Sequence, residues 1–232
     1  MTRPGNPDGP LVMRGALVQL AKDFGVIVPN IIPFQYNPAT ATRSLKPWDP
    51  GAVDQTDRGA QAPMAQPYDP EETYKFKLEL DATDGLDAGD PLARTTGVAS
   101  HVAALQKLTE ASDGLFGDLV ASANSLIGAE DDAVERPSVP ITLLVLGPGV
   151  VLPVRVTSFS VEIKEFTPAL YPHMAEVDLE LRVLTPEVFK CRKGADSDLA
   201  QAAYDFTRLQ EDALAIANIA NAVTSARSML PF

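Results

Sequence analysis

The sequence predicts an α+β fold: antiparallel β-structure with one packed helix and a C-terminal helical extension. Three observations lead there. Residues 150–184 read as two strand-like runs joined by a Pro-rich connection, a hairpin. Upstream of it, segments with a two-residue period alternate with turn signals and one segment of helical period. From Ser197 onward the pattern changes to a seven-residue repeat of apolar and small side chains. The resulting order is strands, long loop, strand, helix, strand, hairpin and C-terminal helix. It suits antiparallel sheets packed face to face with a helix alongside.

The hairpin is the most informative stretch. Val177, Leu179, Leu181 and Val183 alternate with Glu176, Asp178, Glu180 and Arg182, giving one apolar and one charged face. In the first run Leu152, Val154 and Val156 share one parity, whereas Val161 and Ile163 share the other. A parity switch within one strand predicts a β-bulge near Thr157–Ser160.

The remaining elements follow in chain order. Residues 1–10 have no period and are expected to be a flexible arm, followed by a β domain over 11–190. Residues 11–20 and 26–36 read as a strand pair, with Gly15 favouring strand over helix in the first. Pro29 and Pro33 place the second on an edge or a bend. Phe34, Gln35, Tyr36, Asn37 and Pro38 form a corner with two readings. It is a surface that faces a neighbouring subunit, a conformational stop with the aromatics packed as anchors and Asn37 bonding nearby backbone, or both together. Residues 43–70 are expected to be a long loop. Trp48, its bulkiest apolar residue, docks either on another subunit or on its own domain.

Thr73–Asp81 alternates cleanly and predicts a strand with Tyr74, Phe76, Leu78 and Leu80 on its apolar face. The acidic run after it lacks the closing Glu of a calcium loop and reads as a solvated turn. Thr95–Ser112 has helical spacing at Val98, Val102, Leu105 and Leu108, with His101 off that line. Leu115–Ile127 is a weaker helical candidate, and 128–137 an acidic loop. Pro140–Leu146 is apolar on both parities and predicts a central strand buried on both faces. Gly147-Pro148-Gly149 turns from it into the hairpin. In the extension, 191–232, Leu199, Phe206, Ala213 and Ala220 are seven apart, as are Ala202, Leu209, Ile216, Val223 and Leu230. This stripe packs either on the domain's own sheet or on another subunit.

Composition narrows the function classes. The net charge of −12, with no run of Lys or Arg able to follow a phosphate backbone, argues against nucleic acid as partner. The single cysteine, Cys191, cannot form an intrachain disulfide. Apolar runs are of strand length, below the roughly 20 residues that cross a bilayer, so no membrane insertion and a cytoplasmic location are expected. The histidines, His101 and His173, sit in no nucleophile or metal motif. The carboxylate pairs Glu162/Glu165 and Asp131/Asp132 have nothing beside them in sequence to raise a pKa. No catalysis, no cofactor and no metal are therefore expected.

Two separated segments carry a family resemblance. LPVRVTSFSVEIKEFTPALYPHMAEVDLELRVLT resembles the N-terminal domain of tube proteins of contractile, phage-tail-like injection systems. The matching positions include Leu152, Pro153, Arg155, Phe166, Pro168, Leu170, Pro172, Ala175, Val177, Leu179, Leu181 and Arg182. Upstream, IPFQYNP at Ile32–Pro38 is similar to the same family's PFQ-aromatic-NP. The resemblance covers about the first 190 residues. It implies a β-sandwich or barrel-like tube domain that joins as a homo-oligomer, a hexameric ring, with strands continuing between subunits. The corresponding role is a baseplate tube initiator or adaptor between the spike hub and the first inner-tube rings. Its partners would be neighbouring tube, spike-hub and baseplate proteins, and it would be made in the cytoplasm and assembled into a particle. Relatives often continue into a LysM module, whereas here the last 40 or so residues are one helical stripe. Candidate interface residues on this reading are Phe34–Pro38, Trp48, Phe159, Phe166, Pro168, Leu209, Ile216 and Val223. The rival reading is a monomeric β-barrel that binds a small ligand in its mouth.

Overall fold

The computed structural model describes residues 13–23, 26–48, 66, 68–110 and 139–229, the side chains of 22, 23, 26 and 220–229 excepted. The expected arm at 1–10, residues 49–65, the helix expected at 115–127, the acidic loop at 128–137 and the side chain of Val223 lie outside the described residues.

Seven antiparallel strands form one sheet: β1 (Ala16–Asp23), β2 (Val26–Pro33), β3 (Ala41–Lys46), β4 (Glu71–Asp81), β5 (Ile141–Val145), β6 (Val151–Phe166) and β7 (Pro172–Val183). The spatial order is β2-β1-β5-β6-β7-β4-β3. The fold is thus α+β with an antiparallel sheet, and that sheet is a single open one, with β2 and β3 at its edges. The long loop expected over 43–70 begins later than its composition suggests. Residues 41–46 are strand β3, paired with β4 from Ala41↔Phe76 to Lys46↔Glu71.

β6 and β7 form the bent hairpin, with register shifts between Val156 and Ser158 and again near its tip. The first shift leaves Thr157 over, and this resolves the parity switch. Val154 and Val156 oppose Val183 and Leu181, and beyond the bulge Phe159, Val161 and Ile163 oppose Leu179, Val177 and Ala175. The apolar face is therefore continuous along the bend. Val177, Leu179, Leu181 and Val183 are all buried in the main core. The opposite face carries ion pairs such as Lys75–Glu180 and Lys77–Glu176.

β5 lies third in the sheet and is covered on both sides. Leu144 enters the main core with Leu17, Leu152 and the β4 residues Tyr74, Phe76, Leu78 and Leu80. Ile141 and Leu143 enter a second core with Leu20, Phe189, Ala200 and Ala203.

The acidic run after β4 is helical rather than a simple turn. α1 (Thr83–Asp87) and α2 (Pro91–Thr96) occupy it, with Asp81 accepting from Thr83 and Asp90 capping α2 through Leu92 N. The single helix expected over 95–112 is broken at Gly97, and α3 (Ala99–Lys107) follows. Gly97 sits at φ +58°, and a Cβ there would lie 2.1 Å from the Pro172 carbonyl oxygen. The break lets the chain pass under the hairpin before Val98, Leu105 and Leu108 enter the core. His101 is exposed.

A short helix, α4 (Pro186–Phe189), leads to α5 (Ala195–Met229), 35 residues long. The buried face of α5 is Ser197, Ala200, Ala203, Tyr204 and Thr207, spaced by three and four as a docked helix requires. Thr207 Oγ1 accepts from Val151 N at 2.9 Å and donates to Val151 O at 2.7 Å, fixing the helix to the start of β6. The expected heptad line is on the other side: Leu199, Phe206, Leu209 and Ile216 are exposed. Hydrophobic periodicity pointed to the wrong cis face because the docked face is built from small and polar residues.

Candidate assembly surfaces

Four features of this sheet bear on what the protein does. The first is the corner after β2. Phe34 is buried, its ring 5.6 Å from that of Phe76 on β4. Gly15 makes room for it, since a Cβ there would meet the Phe34 ring at 2.6 Å. Asn37 Oδ1 accepts from Gly15 N at 2.9 Å and Asn37 Nδ2 donates to Met13 O at 2.9 Å. Gln35 Nε2 donates to Asp81 O at 2.5 Å, and Asp81 N donates to Gln35 Oε1 at 2.9 Å. Tyr36 is exposed at the ring, with its hydroxyl donating to Asp84 Oδ2.

The corner is therefore an intramolecular clasp. It ties the segment after the first strand in spatial order to the end of the sixth, as the anchoring reading required for Phe34 and Asn37. Gln35 and Tyr36 belong to it through polar bonds instead of packing. Pro38 is half-buried beside them and ends the segment.

The second feature is the difference between the two sheet edges. Phe34 N donates to Gly15 O, so even-numbered residues of β2 address β1 and odd-numbered ones point outward. Two of the four outward positions, Ile27, Pro29, Ile31 and Pro33, lack an N–H. At the other edge, Ala82 N donates to His173 O, so even positions of β4 address β7 and odd ones address β3. With Ser44 opposite Thr73 and Thr42 opposite Lys75, the outward positions of β3 are Ala41, Arg43 and Leu45. None is proline, and all six β3 residues are exposed. Half of the outward donors of β2 are missing, whereas those of β3 are all present and, among the described residues, no strand pairs with them.

The third feature is the hairpin tip. Phe166, Pro168, Leu170 and Tyr171 are exposed there, Leu170 at 78%. Leu170 has φ +63°, in the left-handed region, which costs an ordinary side chain about 1–2 kcal/mol. Phe159, lower on the same strand, is half-buried against the main core and does not share the tip. Trp48 is half-buried just beyond β3.

The fourth feature is a charge network that sequence reading missed. Glu72, at 1% exposure, accepts from Arg43 Nε at 2.5 Å and from Arg208 Nη2 at 2.5 Å. Glu211 closes the ring, 2.6 Å from Arg43 Nη2 and 2.7 Å from Arg208 Nη1. Arg208 stacks on Tyr204 with its guanidinium carbon 4.6 Å from the ring centroid, and Tyr204 Oη bonds Asp69 Oδ2. Burial, and then the neighbouring Glu72 charge, push the Tyr74 phenol up. Burial works to raise the Glu211 carboxyl, but the Arg208 and Arg43 guanidinium groups outweigh it and hold it below its ordinary value. The signal was present: Glu72 shares parity with Tyr74, Phe76 and Leu78. A carboxylate on the core face of a strand needs cationic partners.

A surface depression of about 370 Å³ lies between β5, β6 and α4, lined by Ile141, Val154, Arg155, Val188, Phe189 and Arg192, and two others run along strands. Of these two, one is lined by Thr40, Lys75–Lys77, Ser158 and Asp178–Glu180, the other by Tyr36–Thr40, Lys77 and Glu79. Among the described residues, no three His, Cys, Asp or Glu side chains are grouped to hold a metal ion. No described helix is long and apolar enough to cross a membrane. No family model matches the sequence, and no characterised protein matches it as a relative.

Proposed function

We propose that this chain is a structural subunit of a contractile, phage-tail-like injection particle. In this reading it sits at the baseplate, between the spike hub and the first inner-tube rings, and acts by assembly instead of catalysis. Copies join as a ring, hexameric by the family resemblance, when an extended segment of a neighbour adds to β3. An open seven-stranded sheet then becomes part of a continuous barrel-like wall.

The observation that carries this reading is the edge asymmetry. β3 offers outward N–H and C=O groups at Ala41, Arg43 and Leu45, while Pro29 and Pro33 remove half of the outward donors of β2. Proteins often remove the donors of edges they do not use, and a strand edge that keeps its outward N–H and C=O groups is a template for another chain. The two segments that carry the resemblance support it further. IPFQYNP forms the clasp that sets the curl of the sheet, and the second segment forms its central hairpin.

Proline at Ala41 and Leu45 removes two outward donors without touching the β3–β4 bonds. Such a double variant is expected to stay folded and to lose ring formation in sedimentation and electron microscopy. With a net charge of −12 on every copy, the joint must rest on backbone pairing and apolar burial, so rings persist at 1 M salt, where the Debye length is roughly 3 Å. Rings that survive the prolines, or that fall apart as salt rises, overturn the proposal.

A further inference from the structure

We infer that the exposed face of α5 is a docking site for an amphipathic helix with basic flanks, supplied by a different protein. This goes beyond strand joining at β3 and does not depend on it. The observation is the position of the heptad stripe. Leu199, Phe206, Leu209 and Ile216 run along the side of α5 that faces away from the sheet, and Leu209 and Ile216 are about two-thirds exposed. The sheet holds α5 by the opposite face, through Ala200, Ala203, Tyr204 and Thr207, so from Leu199 to Leu209 the stripe is presented on a fixed helix, and it continues to Ile216 on a stretch exposed all round. Seven-residue spacing of such side chains is the seam of a helix pair.

Charge selects the partner. Asp198, Asp205 and Asp212 are also seven apart, all exposed, each one residue before a stripe position. The other flank is uncharged, with Ala203 buried against the domain, Gln210 half-buried and Ala217 exposed. A second copy in parallel would set each aspartate against alanine or glutamine, and an antiparallel copy would set aspartate against aspartate. Neither gains an ion pair, and the second repels. The chain's own residues 111–138 are a poor occupant for the same reason, with six acidic residues against Arg136 alone. A helix with Lys or Arg beside its seam places cations along the whole aspartate line.

The test uses two synthetic 28-residue helices with the same leucine seam, one with lysine flanks and one with glutamate flanks, titrated against the full-length protein. The lysine helix is expected to bind about tenfold tighter or more, the effect of a few surface ion pairs. Reversing Asp198, Asp205 and Asp212 to Lys should swap the preference, and Leu209→Glu with Ile216→Glu should abolish binding of both. These positions are exposed, so circular dichroism should show each variant folded. Equal binding of the two helices, binding that survives the glutamates, or binding of neither overturns the inference. So does a protein that self-associates through this stripe, seen as monomerisation by Ile216→Glu alone, or one whose stripe binds neutral lipid vesicles in place of the helices. Ring assembly read separately on the β3 proline variant keeps the two proposals apart.

Discussion

The side-chain amide of Gln35 makes with Asp81 the pair of hydrogen bonds that a residue in a neighbouring strand would make. Asp81 lies at the end of β4 and faces the β3 side, but β3 pairing stops at Phe76. Gln35 arrives from the far end of the sheet order and completes the edge there. Backbone polar groups left unmatched at a part-buried edge are costly, so the clasp stabilises the curl as well as defining it.

Gln35→Ala is therefore expected to destabilise by about 1–3 kcal/mol in urea unfolding. Tyr36→Phe, which loses one bond at an exposed ring, should cost less than about 1 kcal/mol. If the tyrosine change proves the larger, the clasp is not what holds β2 to β4.

Glu72 stands between two arginines, and its removal should cost more than removal of either. Glu72→Ala leaves Arg43 and Arg208 sharing Glu211 alone, whereas Arg43→Ala leaves Glu72 paired with Arg208. Breaking a buried pair by deleting one partner costs about 3–5 kcal/mol, and the partly exposed arginines place this case at or below the lower end. Thermal melts of the two variants give the ranking. Equal losses would mean that Glu72 is not the hub of the network.

The same network makes stability sensitive to acid. The Glu211 carboxyl is held below its ordinary value of 4.5, and Asp81 is lowered too, by the hydrogen bonds from the Thr83 side chain and backbone. A depressed carboxylate contributes stability that is complete above the unfolded value and lost as pH falls through the folded one. The melting temperature should thus drop as pH falls below about 4.5. Glu211→Gln should lower it at neutral pH and flatten that acid limb. An unchanged slope in the variant would show that other carboxylates govern acid unfolding.

Sequence reading succeeded where side-chain period and burial agree. The alternation at Val177–Val183, the doubly apolar Ile141–Leu144 and the parity switch at Thr157 each describe one strand in one environment, and each appears as expected. It failed where an element has no buried face of its own, or where burial runs through small or polar residues. Residues 41–46 carry no apolar face because both faces are exposed, so β3 was invisible. The docked face of α5 is Ser197, Ala200, Ala203, Tyr204 and Thr207, and its core contacts need tertiary partners that no window of sequence contains. Gly97 broke a helix for the sake of a hairpin 75 residues away. Of the candidate site, the Phe34–Asn37 corner was legible as a fixed point, but not that Gln35 would bridge to Asp81.

Leu170 holds a left-handed backbone with its side chain in solvent. Glycine there should relieve about 1 kcal/mol of strain, offset in part by the added freedom of the unfolded chain. Asn, which tolerates this region, should stabilise without that offset. A Leu170→Asn protein that is more stable yet enters fewer particles would tie the strain to presentation of an apolar tip. Unchanged stability would show that this turn relaxes freely.

Two truncations separate the anchored part of α5 from the presented part. Up to Glu211 the helix is tied to the domain by the second core, by Thr207 on Val151 and by the Arg208–Glu72 bond. Beyond it, Leu214, Ile216 and Ile219 are each more than 60% exposed. Removing 213–232 deletes a stretch whose described side chains, 213–219, are exposed, so melting should shift by no more than a surface change does, about 0.5 kcal/mol. Removing 197–232 uncovers Phe189, Leu143 and Ile141 and leaves Glu72 with Arg43 alone. That loss should reach several kcal/mol and yield an aggregating or molten product. The shorter truncation should also lose the lysine-flanked helix, because the distal half of the stripe is gone. A well-folded 1–196 fragment would mean that the second core closes without α5, and the division at Glu211 would have to be abandoned.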